Sequence, residues 1–396
     1  MKSLSFVIFL ILNYLQVLSQ TLPDVFKLQT GKTVKSKKEW YKKRKPEIIK
    51  LFTQEVYGKI PNNTVFKATF QVLESEKLVL EGKAYRQQVR AIYENLKKET
   101  ISVDLMMYYP ISAKNKAVPV FTLLNYGNHT LSEDTTIFLS ASKMYQIEQK
   151  RASYIRRFPI EQIVNQGFGL VTACYEDFMP DKRSAIGNFA QQFYGVHPDS
   201  TGCVAIWAWG YSRMVDFALS QPFFDKKKIA AVGHSRTGKT ALWAAANDER
   251  IAYAFVNESG NTGAKLNYHL NPQAESIEKI NSIFPHWFCL NYKKYNFKDT
   301  ELPFDQHWLL ACVAPQRLYV ANADDDIWCD PEGEFLAMKE AEKVYQFLGL
   351  KTQLPKQMPS IGQPTSQGYL GYHYRKGKHD LLLEDWENFM KFMNAK

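Results

Sequence analysis

The sequence predicts an α/β architecture, a largely parallel sheet covered by helices on both faces, and three observations carry that reading. From Val118 onward, short apolar runs alternate with segments of helical periodicity. Each apolar run ends in glycine or polar residues. The composition, 45% hydrophobic and 14% aromatic, is that of a chain able to bury a large core. Strand and helix in alternation imply parallel crossovers, and in such sheets chemistry collects beyond the carboxyl ends of the strands.

The chain opens MKSLSFVIFLILNYLQVLSQ, a single lysine, an apolar run to Leu18 and a small residue, Ser19. This pattern predicts a secretory signal peptide over residues 1–19, cleaved after Ser19. A membrane anchor is disfavoured, because Asn13 and Gln16 interrupt the run and it falls short of the roughly 20 apolar residues a span requires. Residues 20–396 carry no Gly/Ser/Pro-rich linker and no internal repeat, so they are expected to form one catalytic domain, soluble and secreted or periplasmic, without a membrane span.

The basic stretch KSKKEWYKKRKPEIIK comes next. Trp40, Tyr41, Ile48, Ile49, Leu51 and Phe52 interleave with its charges at helical spacing, which predicts an amphipathic surface helix with a solvated basic face. A nucleic-acid arm is the disfavoured alternative, and no nucleic-acid partner is expected. The net charge of +10 suits an acidic polysaccharide only as a weak long-range preference.

VFKATFQVL, KAYRQQVRAIY and ISVDLMMYYP read as antiparallel strands at the start of the sheet. PVFTLLNYG, FGLVTACYE, KIAAVGHS, YAFVNESG and QRLYVANADDD are the strands that follow. IEQIVNQ, CVAIWAWGYSRMVDFAL, TALWAAANDER, FDQHWLLACV and EFLAMKEAEKVYQFLG are the intervening helices. The five cysteines lack zinc-type pairing, and their odd number leaves at least one free; export would permit a disulfide among the others.

KKIAAVGHSRTGKTALWAAA is a strand, a tight turn and a helix, and it fits two patterns at once. Gly233 to Thr240 satisfies the phosphate-binding loop G-x-x-x-x-G-K-[ST]. The same residues, centred on Gly233-His234-Ser235, resemble a nucleophile elbow, although Thr237 stands where glycine is usual and Gly238 follows it. Context favours the elbow. A nucleotide site serves proteins inside the cell, whereas this chain carries an export leader. A hydrolase also needs a carboxylate and then a histidine later in the chain, and Glu258, Asp326 and His379 supply that order.

Ser235 is therefore the expected nucleophile, its duller role being a helix cap. His379 sits in the glycine-containing loop RKGKHDLLLEDW between the last strand and the last helix, where a general base belongs, while His373 alternates within GYLGYHYR as a strand residue. Glu258 and Asp326, at two successive strand ends, compete for the role of triad acid.

GHSRTGK with VNESG, SIFPHWF, ADDDIWCDPEGEF and GYHYRKGKHDL, in this order, resembles the glucuronoyl esterases, carbohydrate esterase family 15, and in particular their bacterial branch; LLNYGNHT and CYEDFMPD fit the same pattern. The resemblance runs from about Trp40 to the C-terminus. It implies an α/β-hydrolase three-layer sandwich without cofactor or metal. It implies hydrolysis of the ester between 4-O-methylglucuronic acid of glucuronoxylan and lignin-type or small alcohols. Ser235 and His379 would act with Glu258 as primary acid and Asp326 as second partner. Arg236 would join its own backbone N–H in stabilising the oxyanion, and Lys239, Glu275 and Trp328 would hold the uronate. Two departures stand out. The cysteines that flank the triad as a disulfide in fungal members are replaced by His234 and Asp380, and a second polar sugar contact is replaced by Ile283.

The chemistry so implied is acyl transfer through a serine ester by a monomeric enzyme. An acetyl esterase acting on xylan or other acylated sugars could use the same triad. A non-catalytic carbohydrate-binding protein on the same fold should have lost a triad member, and none is missing.

Overall fold

A computed structural model describes residues 22–139 and 150–395. The expected signal peptide, residues 1–19, lies outside the described residues.

One nine-stranded sheet runs through the molecule in the order β1-β2-β3-β5-β4-β6-β7-β8-β9. Strands β1 (Lys67–Val79), β2 (Ala84–Glu94) and β3 (Thr100–Pro110) form the antiparallel edge, and β3 also runs antiparallel to β5 (Gly169–Cys174). From β5 through β4 (Val118–Asn125), β6 (Phe224–His234), β7 (Tyr253–Asn257), β8 (Arg317–Ala323) and β9 (Leu370–Arg375) every pairing is parallel. The middle strands are buried along their length, as strands covered on both faces must be, whereas β1 is exposed over most of its residues and ends the sheet with two register shifts.

Helices cover both faces and give two apolar layers. On one side lie α1 (Lys45–Phe52), α3 (Cys203–Ser220), α4 (Arg236–Asn247), α6 (Gln306–Cys312) and α7 (Pro331–Phe347); on the other lie α2 (Ile160–Asn165) and α8 (Leu383–Asn394). This is the α/β-hydrolase three-layer arrangement. α3 is apolar on nearly every side because it is buried on nearly every side, and its Tyr211 hydroxyl donates to the Val232 carbonyl of β6 at 2.6 Å. Trp243 of α4 stacks on Tyr57, ring centroids 4.6 Å apart, and both are fully buried; cutting such a tryptophan to alanine costs about 3–5 kcal/mol.

The basic segment is helical, with π-helical turns Trp40–Arg44 and Thr53–Tyr57 on either side of α1. Its inner stripe is Trp40, Ile48, Phe52 and Val56. The expectation of a solvated basic face needs correction at two positions. Arg44 is buried against the Trp308 ring, 4.1 Å from its centroid, with Nε donating to the Val25 carbonyl, and Lys45 donates to the Ala314 carbonyl. All five cysteines are free and buried, so the disulfide that export would permit does not form. Among the described residues no helix is long and apolar enough to cross a membrane.

Candidate active site

The turn between β6 and α4 consists of Ser235 alone, since the strand ends at His234 and the helix starts at Arg236. Ser235 adopts φ 57° and ψ −123°, a left-handed conformation that a residue with a Cβ holds only where its surroundings over-determine it. Those surroundings are on hand. Ser235 N–H donates to the Asn257 carbonyl at 2.9 Å, and the Thr237 hydroxyl both accepts from His234 N–H and donates to His234 O, each at 2.9 Å. That stapling explains how threonine can occupy the usual glycine position. Gly233 cannot be replaced in the same way, because a Cβ there would lie 1.9 Å from the Thr237 carbonyl oxygen. Ser235 makes no side-chain cap on α4, so its hydroxyl is not spent on the helix.

The phosphate-loop reading fails on the same geometry. A one-residue connection leaves no loop of backbone amides to wrap a phosphate, and Lys239 points into the protein instead of back over the turn.

His379 lies in the loop between β9 and α8. Its Nδ1–H donates to Asp326 Oδ2 at 2.7 Å, and Glu258 Oε2 stands 3.1 Å away. Asp326 follows β8 and Glu258 follows β7, so the register of two neighbouring parallel strands delivers both carboxylates to one imidazole nitrogen. The sequence reading ranked Glu258 first, yet the shorter bond runs to Asp326. The cause lies behind Glu258, whose Oε1 accepts from Arg375 Nη2 at 2.5 Å and whose Oε2 accepts from Asp380 N–H at 2.8 Å. Burial opposes charge on His379, but the hydrogen bonds to Asp326 and Glu258 outweigh it and lift the ring to about 9. Burial pushes Glu258 up to about 7, whereas Asp326, despite burial, is held below the usual carboxylate range by His379.

Arg236 opens α4, so its backbone N–H has no intrahelical partner. Its guanidinium pairs with Asp181 and lies over the Trp287 ring, 4.9 Å from the centroid. The pair is largely withdrawn from solvent, with side chains 27% and 7% exposed.

Lys239, Glu275 and Trp328 do come together. Lys239 Nζ donates to the carbonyls of Ser259 and Asn261 and, at 2.9 Å, to Glu275 Oε2; Trp328 Nε1 donates to Glu275 Oε1 at 2.8 Å. Lys239, expected to hold the uronate, is 2% exposed, and its three donors engage these three acceptors. Trp328, at 36%, is what the cluster offers outward, while Glu275 is buried beneath it with both oxygens engaged.

Among the described residues, two sets of donor atoms lie within 4.8 Å of one another: His234, Glu258 and His379, and Asp326, Cys329 and His379. Both depend on the His379 nitrogens that a base and its acid need. Burial also pushes the Cys329 thiol well above its ordinary value, which disfavours the thiolate a soft metal would require.

Comparison with known proteins agrees in one direction. A sequence model for glucuronyl esterases of fungi matches residues 98–349. A carbohydrate esterase from an unknown prokaryotic organism is 36% identical to this chain, the match covering 95% of the chain and 90% of that protein. The chain belongs to the glucuronoyl esterase family. A solved glucuronoyl esterase from Solibacter usitatus superposes with a TM-score of 0.84 at 36% identity, over 94% of this chain and 97% of that one. A promiscuous esterase of carbohydrate esterase family 15 from a marine bacterial metagenome gives 0.85 at 34%, over 94% and 96%.

Within this glucuronoyl esterase family member, several residues around the site escaped the sequence reading. His234 appeared only as a substitution, yet its buried ring packs on that of His379, centroids 4.5 Å apart, with Nδ1 2.5 Å from Asn257 Oδ1. Burial holds His234 well below its ordinary value, so it packs as a neutral ring. Asp380, the other substituted position, pairs with Arg156 and Arg157 and so ties the His379 loop to the segment before α2. Arg375 is fully buried between Glu258 and Asp385. A charged residue inside the alternating strand YHYR was the available signal. Ile283 is 54% exposed at the end of α5 (Ile277–Ile283).

Proposed function

We propose that this glucuronoyl esterase is a secreted or periplasmic serine esterase, residues 20–396 forming one catalytic domain after a signal peptide. It hydrolyses the ester joining (4-O-methyl-)glucuronic acid of glucuronoxylan to lignin-type or small alcohols. One observation carries the mechanism. Ser235 stands alone on a strained turn, and the one imidazole bound by two carboxylates packs against His234, the residue before it.

In this reading His379 takes the proton of Ser235 as the hydroxyl attacks the ester carbonyl. Asp326, with the shorter bond, keeps the ring oriented and stabilises its charge; Glu258 is the second partner. Arg236 and its backbone N–H meet the developing oxyanion, a task suited to a guanidinium because it stays charged at any working pH. The bond to the alcohol breaks and the leaving oxygen takes the proton from His379. Water, deprotonated by the same imidazole, then attacks the acyl–Ser235 ester; as that bond breaks the Ser235 oxygen takes the proton from His379 and the uronic acid is released.

Trp328 and Glu275 support a sugar-bearing acyl group, since an indole and a carboxylate offer a ring face and an acceptor that an acetyl group cannot use. Lys239 acts through Glu275. Turnover of a benzyl ester of glucuronic acid, compared with that of an acetylated xylan by one preparation, tests the reading. The uronate ester should be preferred by at least about tenfold. Faster release of acetate would assign the same triad to an acetyl esterase.

A further inference from the structure

CYEDFMPD and SIFPHWF, separated by about a hundred residues of chain, meet at one carboxylate. Asp181 Oδ1 accepts from His286 Nε2 at 2.8 Å and from Trp287 Nε1 at 2.7 Å, while Oδ2 takes Arg236 Nη1 and, at 3.3 Å, the Tyr175 hydroxyl. Burial works against the charge on this carboxylate, yet His286, Arg236 and Trp287 hold it below the usual range.

The donors on Asp181 are themselves fixed. The His286 and Trp287 carbonyls accept from Cys203 N–H and Val204 N–H, the first amides of α3, at 2.9 and 3.2 Å. Backbone meets backbone there so closely that a Cβ on Gly202 would lie 2.2 Å from the Trp287 carbonyl oxygen. Phe284 stacks on Trp287 at 3.8 Å between centroids and a 6° interplanar angle, and the Arg236 guanidinium lies over both rings. Arg236 Nε is buried without a hydrogen-bond partner, a donor that the site's own residues leave unused.

We propose that Asp181 is the positioning residue for Arg236: braced by His286 and Trp287 on the N-terminus of α3, it holds the guanidinium in place for the oxyanion. An arginine otherwise samples many rotamers, and a donor ordered before the reaction needs no rearrangement at the transition state. The inference rests on the proposed function, in which Arg236 stabilises the oxyanion.

A double-mutant cycle on the glucuronate benzyl ester separates the two claims. Arg236→Ala should lower kcat by about 10²–10³-fold. Asp181→Asn should lower kcat by about 10–100-fold with KM changed less than about threefold, the effect of a misplaced catalytic group. In the Arg236→Ala background Asp181→Asn should have no further effect on kcat. An undiminished Asp181→Asn effect in that background, or wild-type kcat in Asp181→Asn alone, overturns the positioning role. Wild-type kcat in Arg236→Ala overturns the oxyanion reading itself. Should Asp181→Asn not fold, Trp287→Phe keeps the ring and removes one donor. Its smaller loss of kcat must likewise vanish in the Arg236→Ala background, and a persistent loss overturns the proposal.

Discussion

Arg375 Nη2 lies 2.5 Å from Glu258 Oε1, and both side chains are wholly shut off from solvent. The pair has consequences for the division of labour between the two carboxylates at His379. Glu258 balances a buried cation that also bonds Asp385, so its removal exposes Arg375 to an incomplete set of partners. We expect Asp326→Asn to lower turnover more than Glu258→Gln, and Glu258→Gln to cost more stability, about 3–5 kcal/mol, because it breaks a buried ion pair. Kinetics and denaturant unfolding of the two variants measure these separately. A larger kinetic defect in Glu258→Gln, with stability intact, would move the primary role to Glu258.

The pH profile follows from the same contacts. A general base acts when neutral, and the carboxylates lift His379 from its ordinary 6.5 to about 9, so kcat/KM should climb as pH rises through that range. Asp326→Asn should shift the climb to lower pH while reducing the plateau. For folding the sign is opposite. A histidine whose value is raised in the folded state adds stability that is full below its ordinary 6.5 and is lost as pH rises through about 9. Unfolding free energies across this window should show that loss in wild type and much less of it in Asp326→Asn.

Ser235→Ala should remove turnover by about 10³–10⁶-fold without altering the fold. A fluorophosphonate should label wild type at this residue and spare the variant. Retention of more than about a tenth of wild-type turnover would place the nucleophile elsewhere, since loss of a serine nucleophile leaves far less.

The cluster of Lys239, Glu275 and Trp328 should divide by exposure. Trp328→Ala should lower kcat/KM on the glucuronate ester by about tenfold or more while leaving nitrophenyl acetate nearly unchanged, because only the first substrate has a ring to hold. Lys239→Met should impair both substrates and lower stability, since it strips the Ser259 and Asn261 carbonyls and Glu275 of a buried donor. A stable Lys239→Met protein defective only on the uronate ester would show that the lysine meets substrate directly.

Much of this molecule is legible before folding. Apolar runs that end in Gly233-His234-Ser235, Asn257-Glu258 and Asp324-Asp325-Asp326 mark strand ends, because a strand buried on both faces must be apolar throughout and polar residues return only where it leaves the sheet. The order in which Ser235, Glu258, Asp326 and His379 arrive at that end of the sheet is legible there too. Chain order, however, cannot separate two carboxylates on adjacent strand ends. Parallel register brings both to His379, and what sets them apart is Arg375, which engages Glu258 from 117 residues away in sequence. The same limit explains Lys239. A lysine on the first turn of a helix reads as available to a ligand, and only packing reveals that Ser259, Asn261 and Glu275 have already taken its donors. Local sequence determines which groups reach the carboxyl end of the sheet, because propensity and periodicity act over a few residues. Which of those groups remain free to act is decided by tertiary contacts, since a buried donor or charge must find its partners wherever the fold brings them.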